Sequence, residues 1–192
     1  MIKAIIFDCF GVIRVDSLVA AYESLGGDFA ADRDFVVRAI DAANAGKIPS
    51  SSPIVAEKLG VSEEAWIYAN QHASTLNQEV LDYVLELRKT YKTGLLSNIS
   101  NGGLERWFEA GLLDTYFDIS VASGDIGYAK PEAQAYEYVA DKLGVRINEC
   151  VFIDDRQEYV DGATGVGMQA LLFTSTSRMK KGLAQLLNKR VK

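Results

Sequence analysis

Three short apolar runs in this chain each stop at a cluster of polar, oxygen-bearing residues, and that pattern constrains the fold more than any other feature. Ile2–Phe7 is apolar apart from Lys3 and stops at Asp8. Gly94-Leu95-Leu96 stops at Ser97-Asn98, and Cys150–Ile153 stops at Asp154-Asp155. Continuous apolar runs of this length read as strands buried on both faces. Phe117–Ala122 and Gln169–Phe173 are weaker strand candidates. Helical patterns lie between them: Glu79–Lys89, Asn101–Gly111 opening on a possible Asn cap, Pro131–Leu143 with Pro in its first turn, Gln157–Ala163 and Arg178–Lys189. Strands alternating with helices predict an α/β fold on a mainly parallel sheet. Ligand sites in such sheets lie outside the carboxyl ends of the strands, where Asp8, Ser97-Asn98 and Asp154-Asp155 fall.

Residues 16–75 break the alternation. They carry helical patterns (Ser17–Leu25, Phe29–Ala45, Pro53–Leu59, Glu63–Ala73), glycine and serine punctuation, and no convincing strand. The expected organisation is therefore an α/β core of residues 1–15 and 76–192, with 16–75 inserted as a helical cap over the strand ends.

Composition excludes several classes. The chain is 192 residues long, and 20 Lys+Arg against 26 Asp+Glu give a net charge of −6. An acidic chain without a basic run lacks the clustered cations that phosphate backbones require, so no nucleic-acid partner is expected. The two cysteines, Cys9 and Cys150, imply no disulfide framework. The N-terminal run is broken by Lys3, Asp8 and Arg14, unlike a signal-peptide core, and no stretch is apolar enough to span a bilayer. A soluble, reducing, cytoplasmic setting is expected, with no membrane partner.

One N-cap needs one carboxylate, so an adjacent pair at one strand end and a third at another calls for a different explanation. On neighbouring strands these like charges would repel strongly. Mg²⁺ resolves the repulsion, because it takes one or two carboxylates together with water and phosphate oxygens. Ser97-Asn98, at a strand end before a helix, offers a hydroxyl, an amide and free N–H groups to an anion. Pro131 restricts Lys130 to extended backbone, aiming its ammonium at the same edge, where it would neutralise a carboxylate and a bound phosphate.

The order Asp8, Ser97, Lys130-Pro131, Asp154-Asp155 resembles the haloacid dehalogenase-like (HAD) hydrolases over nearly the whole chain. Ile5-Ile6-Phe7-Asp8-x-Phe10-Gly11-Val12 looks like the first family motif, Leu95-Leu96-Ser97-Asn98 the second, Lys130-Pro131-Glu132 the third and Val151–Asp155 the fourth. The resemblance implies a Rossmann-like sheet with the first strand central, and the inserted helices are similar to the small cap of the phosphatase and dehalogenase branch. It implies Asp8 as the nucleophile that forms an aspartyl-phosphate. Mg²⁺ would be held by Asp8, Asp154, the Phe10 carbonyl and, directly or through water, Asp155. Ser97, Asn98 and Lys130 would bind the phosphoryl group, with Ser97 and Lys130 assisting catalysis. The implied partner is a small phosphorylated metabolite.

One position departs from the family pattern. Its phosphatases usually carry a second Asp two residues after the nucleophile, to protonate the leaving oxygen, and here that position is Phe10. General acid catalysis of this kind is worth ~10²–10⁴ in rate. Arg14, Asp16 and Tyr22 lie near the hinge as possible substitutes. Phe10 also keeps two rivals in view: a 2-haloacid dehalogenase, whose halide needs no proton, and a degenerate member that binds a phosphorylated ligand without turnover. A two-component receiver domain is rejected, since it carries its acidic pair on the first strand and has no inserted lid. His72, Trp107 and Phe108 read as surface or packing residues, Trp66 and Tyr68 as packing with the option of lining a lid pocket, and Cys9 as a small buried hydrophobe. Gly162, Gly165 and Gly167 form no dinucleotide fingerprint.

Overall fold

The computed structural model describes residues 1–15, 18–44 and 46–188. Asp16, Ser17, Ala45 and Lys189, which the sequence places at the hinge or at helix ends, lie outside the described residues. The strands are β1 (Ala4–Phe7), β2 (Arg14–Val15), β3 (Thr75–Leu76), β4 (Lys92–Ser97), β5 (Ile119–Ala122), β6 (Cys150–Asp154) and β7 (Gln169–Leu172). Five form one all-parallel sheet in the order β5-β4-β1-β6-β7, with β1 central. This is the Rossmann-like α/β architecture expected.

The apolar runs are continuous because both sheet faces are covered. Ile5, Phe7, Leu95, Val151 and Ile153 enter one hydrophobic cluster, while Ala4, Ile6, Leu96, Cys150 and Phe152 enter the other. The strand period of two thus divides each run between two cores.

The helices are α1 (Leu18–Ser24), α2 (Phe29–Asn44), α3 (Ser52–Leu59), α4 (Glu63–Ala73), α5 (Gln78–Arg88), α6 (Gly103–Trp107), α7 (Leu112–Tyr116), α8 (Ser123–Ile126), α9 (Ala133–Lys142), α10 (Gln157–Gly165) and α11 (Thr176–Asn188). Helices α5 and α11 cover the first cluster and α9 and α10 the second. Helices α1–α4 surround a third, separate cluster that includes Tyr22, Phe29, Val36, Val55 and Trp66.

Three local expectations are corrected. The segment Asn101–Gly111 is not one helix: α6 ends where Phe108 turns extended (φ −130°, ψ 143°) and its ring is buried, and α7 starts after Gly111. Helix α9 begins at Ala133 rather than at Pro131. The Glu132 carboxylate accepts from Ala129 N at 2.9 Å, and Glu132 N donates to Ala129 O, a turn that uses the residues before the helix. The hinge, read as strandless, holds the antiparallel ribbon of β2 and β3, with Arg14 opposite Leu76. Two-residue strands carry no periodicity to read. What fixes this pair is the Arg14 side chain, which donates to Ser74 Oγ and Ser74 O, both at 3.0 Å, and to Trp107 O at 3.2 Å.

Candidate active site

The sheet brings the separated motifs together. Phe7 is in register with Leu95 on one side and Ile153 on the other, so Asp8 emerges between β4 and β6. Its amide donates to Ile153 O at 2.8 Å, and Asp154 ends β6 alongside. Oxygen atoms of Asp8, Asp154 and Asp155 lie within 4.8 Å of one another.

Lys130 enters this cluster from the loop before α9. Its Nζ donates to Asp8 Oδ1 at 2.5 Å and to Asp154 Oδ2 at 2.7 Å. Asp154 Oδ1 accepts from Arg156 N at 2.9 Å, which fixes the carboxylate plane. Lys130 thus bridges two of the three carboxylates. Burial, opposed by Lys130 and reinforced by Asp154, raises the Asp8 carboxyl to about 7. Burial would lower Lys130, but Asp8 and Asp154 outweigh it and hold the ammonium above its ordinary value.

These groups fit a hard divalent cation: the donors are all carboxylate oxygens, and they lie close enough together to share one ion. Space is provided as well. Gly11 has φ +88°, and a Cβ built there would stand 2.3 Å from Asp155 Oδ2.

Ser97 Oγ is fully buried and accepts or donates no hydrogen bond among the described residues. The Cys9 thiol lies beside it, and burial pushes that thiol's pKa up, so Cys9 stays a neutral small hydrophobe. Leaving a hydroxyl unsatisfied costs ~1–3 kcal/mol, which a bound oxyanion would recover. Asn98 is used differently from the expectation. Its Oδ1 accepts from Lys130 N, and its Nδ2 donates to Lys130 O, both at 2.8 Å. The side-chain amide therefore holds the Lys130 backbone.

Phe10 packs edge-on against Trp107, with ring centroids 5.0 Å apart. Neither described substitute for the missing acid is free. Arg14 is tied into the hinge, and the Tyr22 hydroxyl donates to Asp32 inside the α1–α4 cluster, its pKa pushed up to about 12 by burial and Asp32. His72 stacks on exposed Tyr68 and bonds its carbonyl, consistent with a surface residue. Trp66 does line the cavity, and Tyr68 does not. Gly162 has a packing role, since a Cβ there would come within 2.8 Å of Pro131 Cβ.

A cavity of about 590 Å³ separates these groups from α2 and α4, within the range of small-molecule sites. Arg156 and Tyr159 also border it, and sequence reading missed both. The available signal was position: they follow the acidic pair, Arg156 just before the next helix and Tyr159 in its first turn.

Among curated proteins the chain is 33% identical to a Mycobacterium tuberculosis phosphatase, MT3486, over 53% of this chain and 47% of that one, so it spans about half of that relative's length. It is 26% identical to the D-ribitol-5-phosphate phosphatase of Bacteroides thetaiotaomicron, over 98% of this chain and all of that one. Its fold matches that of a HAD family enzyme from the same organism, solved with magnesium and inorganic phosphate, at a TM-score of 0.73 and 22% identity over 93% of this chain and 99% of the other. The haloacid dehalogenase-like hydrolase model matches residues 2–167, and the chain belongs to that family.

Proposed function

We propose that the protein hydrolyses a small phosphate monoester with Mg²⁺, through an aspartyl-phosphate on Asp8. The observation that carries this is the Lys130 ammonium shared by Asp8 and Asp154 beside Asp155, at the mouth of a small-molecule cavity. Asp8, Asp154, the Phe10 carbonyl and Asp155 would hold the ion, which would supply charge neutralisation for the nucleophile and the phosphoryl oxygens. Asp8 attacks phosphorus, the ester P–O bond breaks, and the leaving oxygen departs as an anion that takes its proton from solvent; water then cleaves the acyl-phosphate to restore Asp8 and release phosphate. The orphan Ser97 hydroxyl donates to a phosphoryl oxygen. Lys130, pinned by Asn98, offsets the negative charge gathered around phosphorus.

Residues 16–75 act as the cap of a core formed by 1–15 and 76–192; support comes from the separate α1–α4 cluster and the ribbon beneath it. Phe10 supplies no proton to the leaving oxygen, so turnover is weak for alkyl phosphates and better where the leaving group is a stable anion. The setting is cytoplasmic, in keeping with two free buried cysteines, and no helix among the described residues is long and apolar enough to cross a membrane. Phe10 and Trp107 also support a second reading, 2-haloacid dehalogenation, against which the acidic pair argues because halide displacement needs no metal. Asp8→Asn should abolish Mg²⁺-dependent phosphate release across a metabolite panel with the fold intact by circular dichroism. Unchanged release would remove Asp8 from the reaction, and halide release from a 2-haloacid would favour the second reading.

A further inference from the structure

The tip of Lys130 is held by more than its two carboxylates. Its Nζ lies 4.8 Å from the centroid of the Tyr159 ring and 5.3 Å from that of Phe152, so the ammonium sits against two aromatic rings. Tyr159 also reaches the root of the same lysine. Its hydroxyl oxygen accepts from Asn98 Nδ2 at 3.2 Å, and Asn98 clasps the Lys130 backbone at both N–H and C=O. Arg156 Nη1 donates to that hydroxyl as well, at 2.8 Å. The Tyr159 backbone is anchored in turn, its carbonyl accepting from Tyr136 O–H at 2.8 Å.

We infer that Tyr159 is the positioning residue of the site: its ring face and hydroxyl together set the Lys130 ammonium between Asp8 and Asp154. An ammonium has three N–H bonds, and two are committed to carboxylates. A third donor aimed at hydrophobic surroundings would be unsatisfied, and the negative face of an aromatic ring is the partner that accepts it without adding a further charge to an already anionic cluster. A carboxylate in place of Tyr159 would deepen the local negative charge, and an aliphatic residue would let the ammonium tip move within the cluster. Tyr159 borders the cavity but acts on the reaction through Lys130, so its main effect falls on the rate of the chemical step.

The inference rests on the hydrolase reading only for its kinetic test. In that test, the full chain and its Tyr159→Phe and Tyr159→Leu variants are assayed with p-nitrophenyl phosphate and Mg²⁺. Y159L should lose about tenfold or more in kcat with KM within about twofold, and Y159F, which keeps the ring, should recover to within about threefold of the parent. Unchanged kcat in Y159L, or a loss confined to KM, overturns the inference. If Y159L does not fold, a series of progressively fluorinated phenylalanines at 159 keeps the shape while weakening the ring's negative face; kcat should fall stepwise, and a flat series overturns the inference. An NMR readout is independent of activity: the Lys130 ε-methylene protons should be shifted upfield by the Tyr159 ring and relax in Y159L. If the parent releases no phosphate, the hydrolase reading fails alone, and an unshifted ε-methylene in the parent then overturns the positioning role separately.

Discussion

Gly11 and Asp155, 144 residues apart in sequence, are so close that a Cβ on the glycine would overlap the carboxylate, 2.3 Å from Oδ2 and 2.5 Å from Cγ. The first motif therefore leaves room for the fourth, and the glycine's φ of +88° is one that side-chain-bearing residues rarely adopt. Gly11→Ala should displace Asp155 from the oxygen cluster. The expected outcome is at least about tenfold weaker Mg²⁺ binding by isothermal titration calorimetry, the scale on which disturbing a ligand's support acts. Binding equal to the parent's would show that Asp155 stands outside the cation's ligand set.

Metal binding should depend on pH through Asp8. Its carboxyl is raised from 3.8 to about 7 in the folded protein without metal. A raised acid binds its proton more tightly when folded, so its contribution to stability is full below the unfolded value and is lost as pH climbs from about 4 through about 7. A divalent cation must displace that proton below about 7 and meets an ionised carboxylate above it. Apparent Mg²⁺ affinity should rise with pH up to about 7 and then level off. The thermal shift produced by Mg²⁺ should be larger at pH 8 than at pH 5. Calorimetry at pH 6 in buffers of different ionisation enthalpy should register proton release, and its absence would place Asp8 ionised from the start.

Phe10→Asp should raise turnover of alkyl phosphates more than that of aryl phosphates, because only poor leaving groups need a proton as they depart. General acid catalysis sets the ceiling at ~10²–10⁴. The comparison is the ratio of kcat/KM for the two ester classes before and after substitution. An equal change in both would show that protonation of the leaving group is not what limits the parent.

Arg14→Met should destabilise the hinge. It removes the donors serving Ser74 Oγ, Ser74 O and Trp107 O, and the guanidinium that lies 5.1 Å from the Trp107 ring centroid. Stranding buried acceptors costs about 2 kcal/mol, or a fall of about 4–8 °C in Tm for a chain of this size. Hydrogen exchange should report faster opening at residues 14–15 and 75–76. An unchanged melting point with unchanged exchange would mean the ribbon holds without it.

The order of residues already specifies the sheet and the chemistry offered at its edge. Apolar runs such as Ile2–Phe7 and Cys150–Ile153 must be buried on both faces, and their polar stops mark where burial ends, so Asp8, Ser97 and Asp154-Asp155 were legible as one edge before any coordinates. How those groups are used depends on the assembled fold. The Asn98 side chain clasps the Lys130 backbone, a contact made only when the loops beyond β4 and before α9 pack together. Arg14 and Tyr22 dropped out as acids because their partners, Ser74 and Asp32, are chosen by packing. The β2–β3 ribbon left no mark because two-residue strands have no period, and Tyr159 left only its position after the acidic pair, because a cation–π contact has no sequence pattern. Local pattern records which face of an element is buried, whereas a side chain's partners depend on distances that only the assembled chain defines.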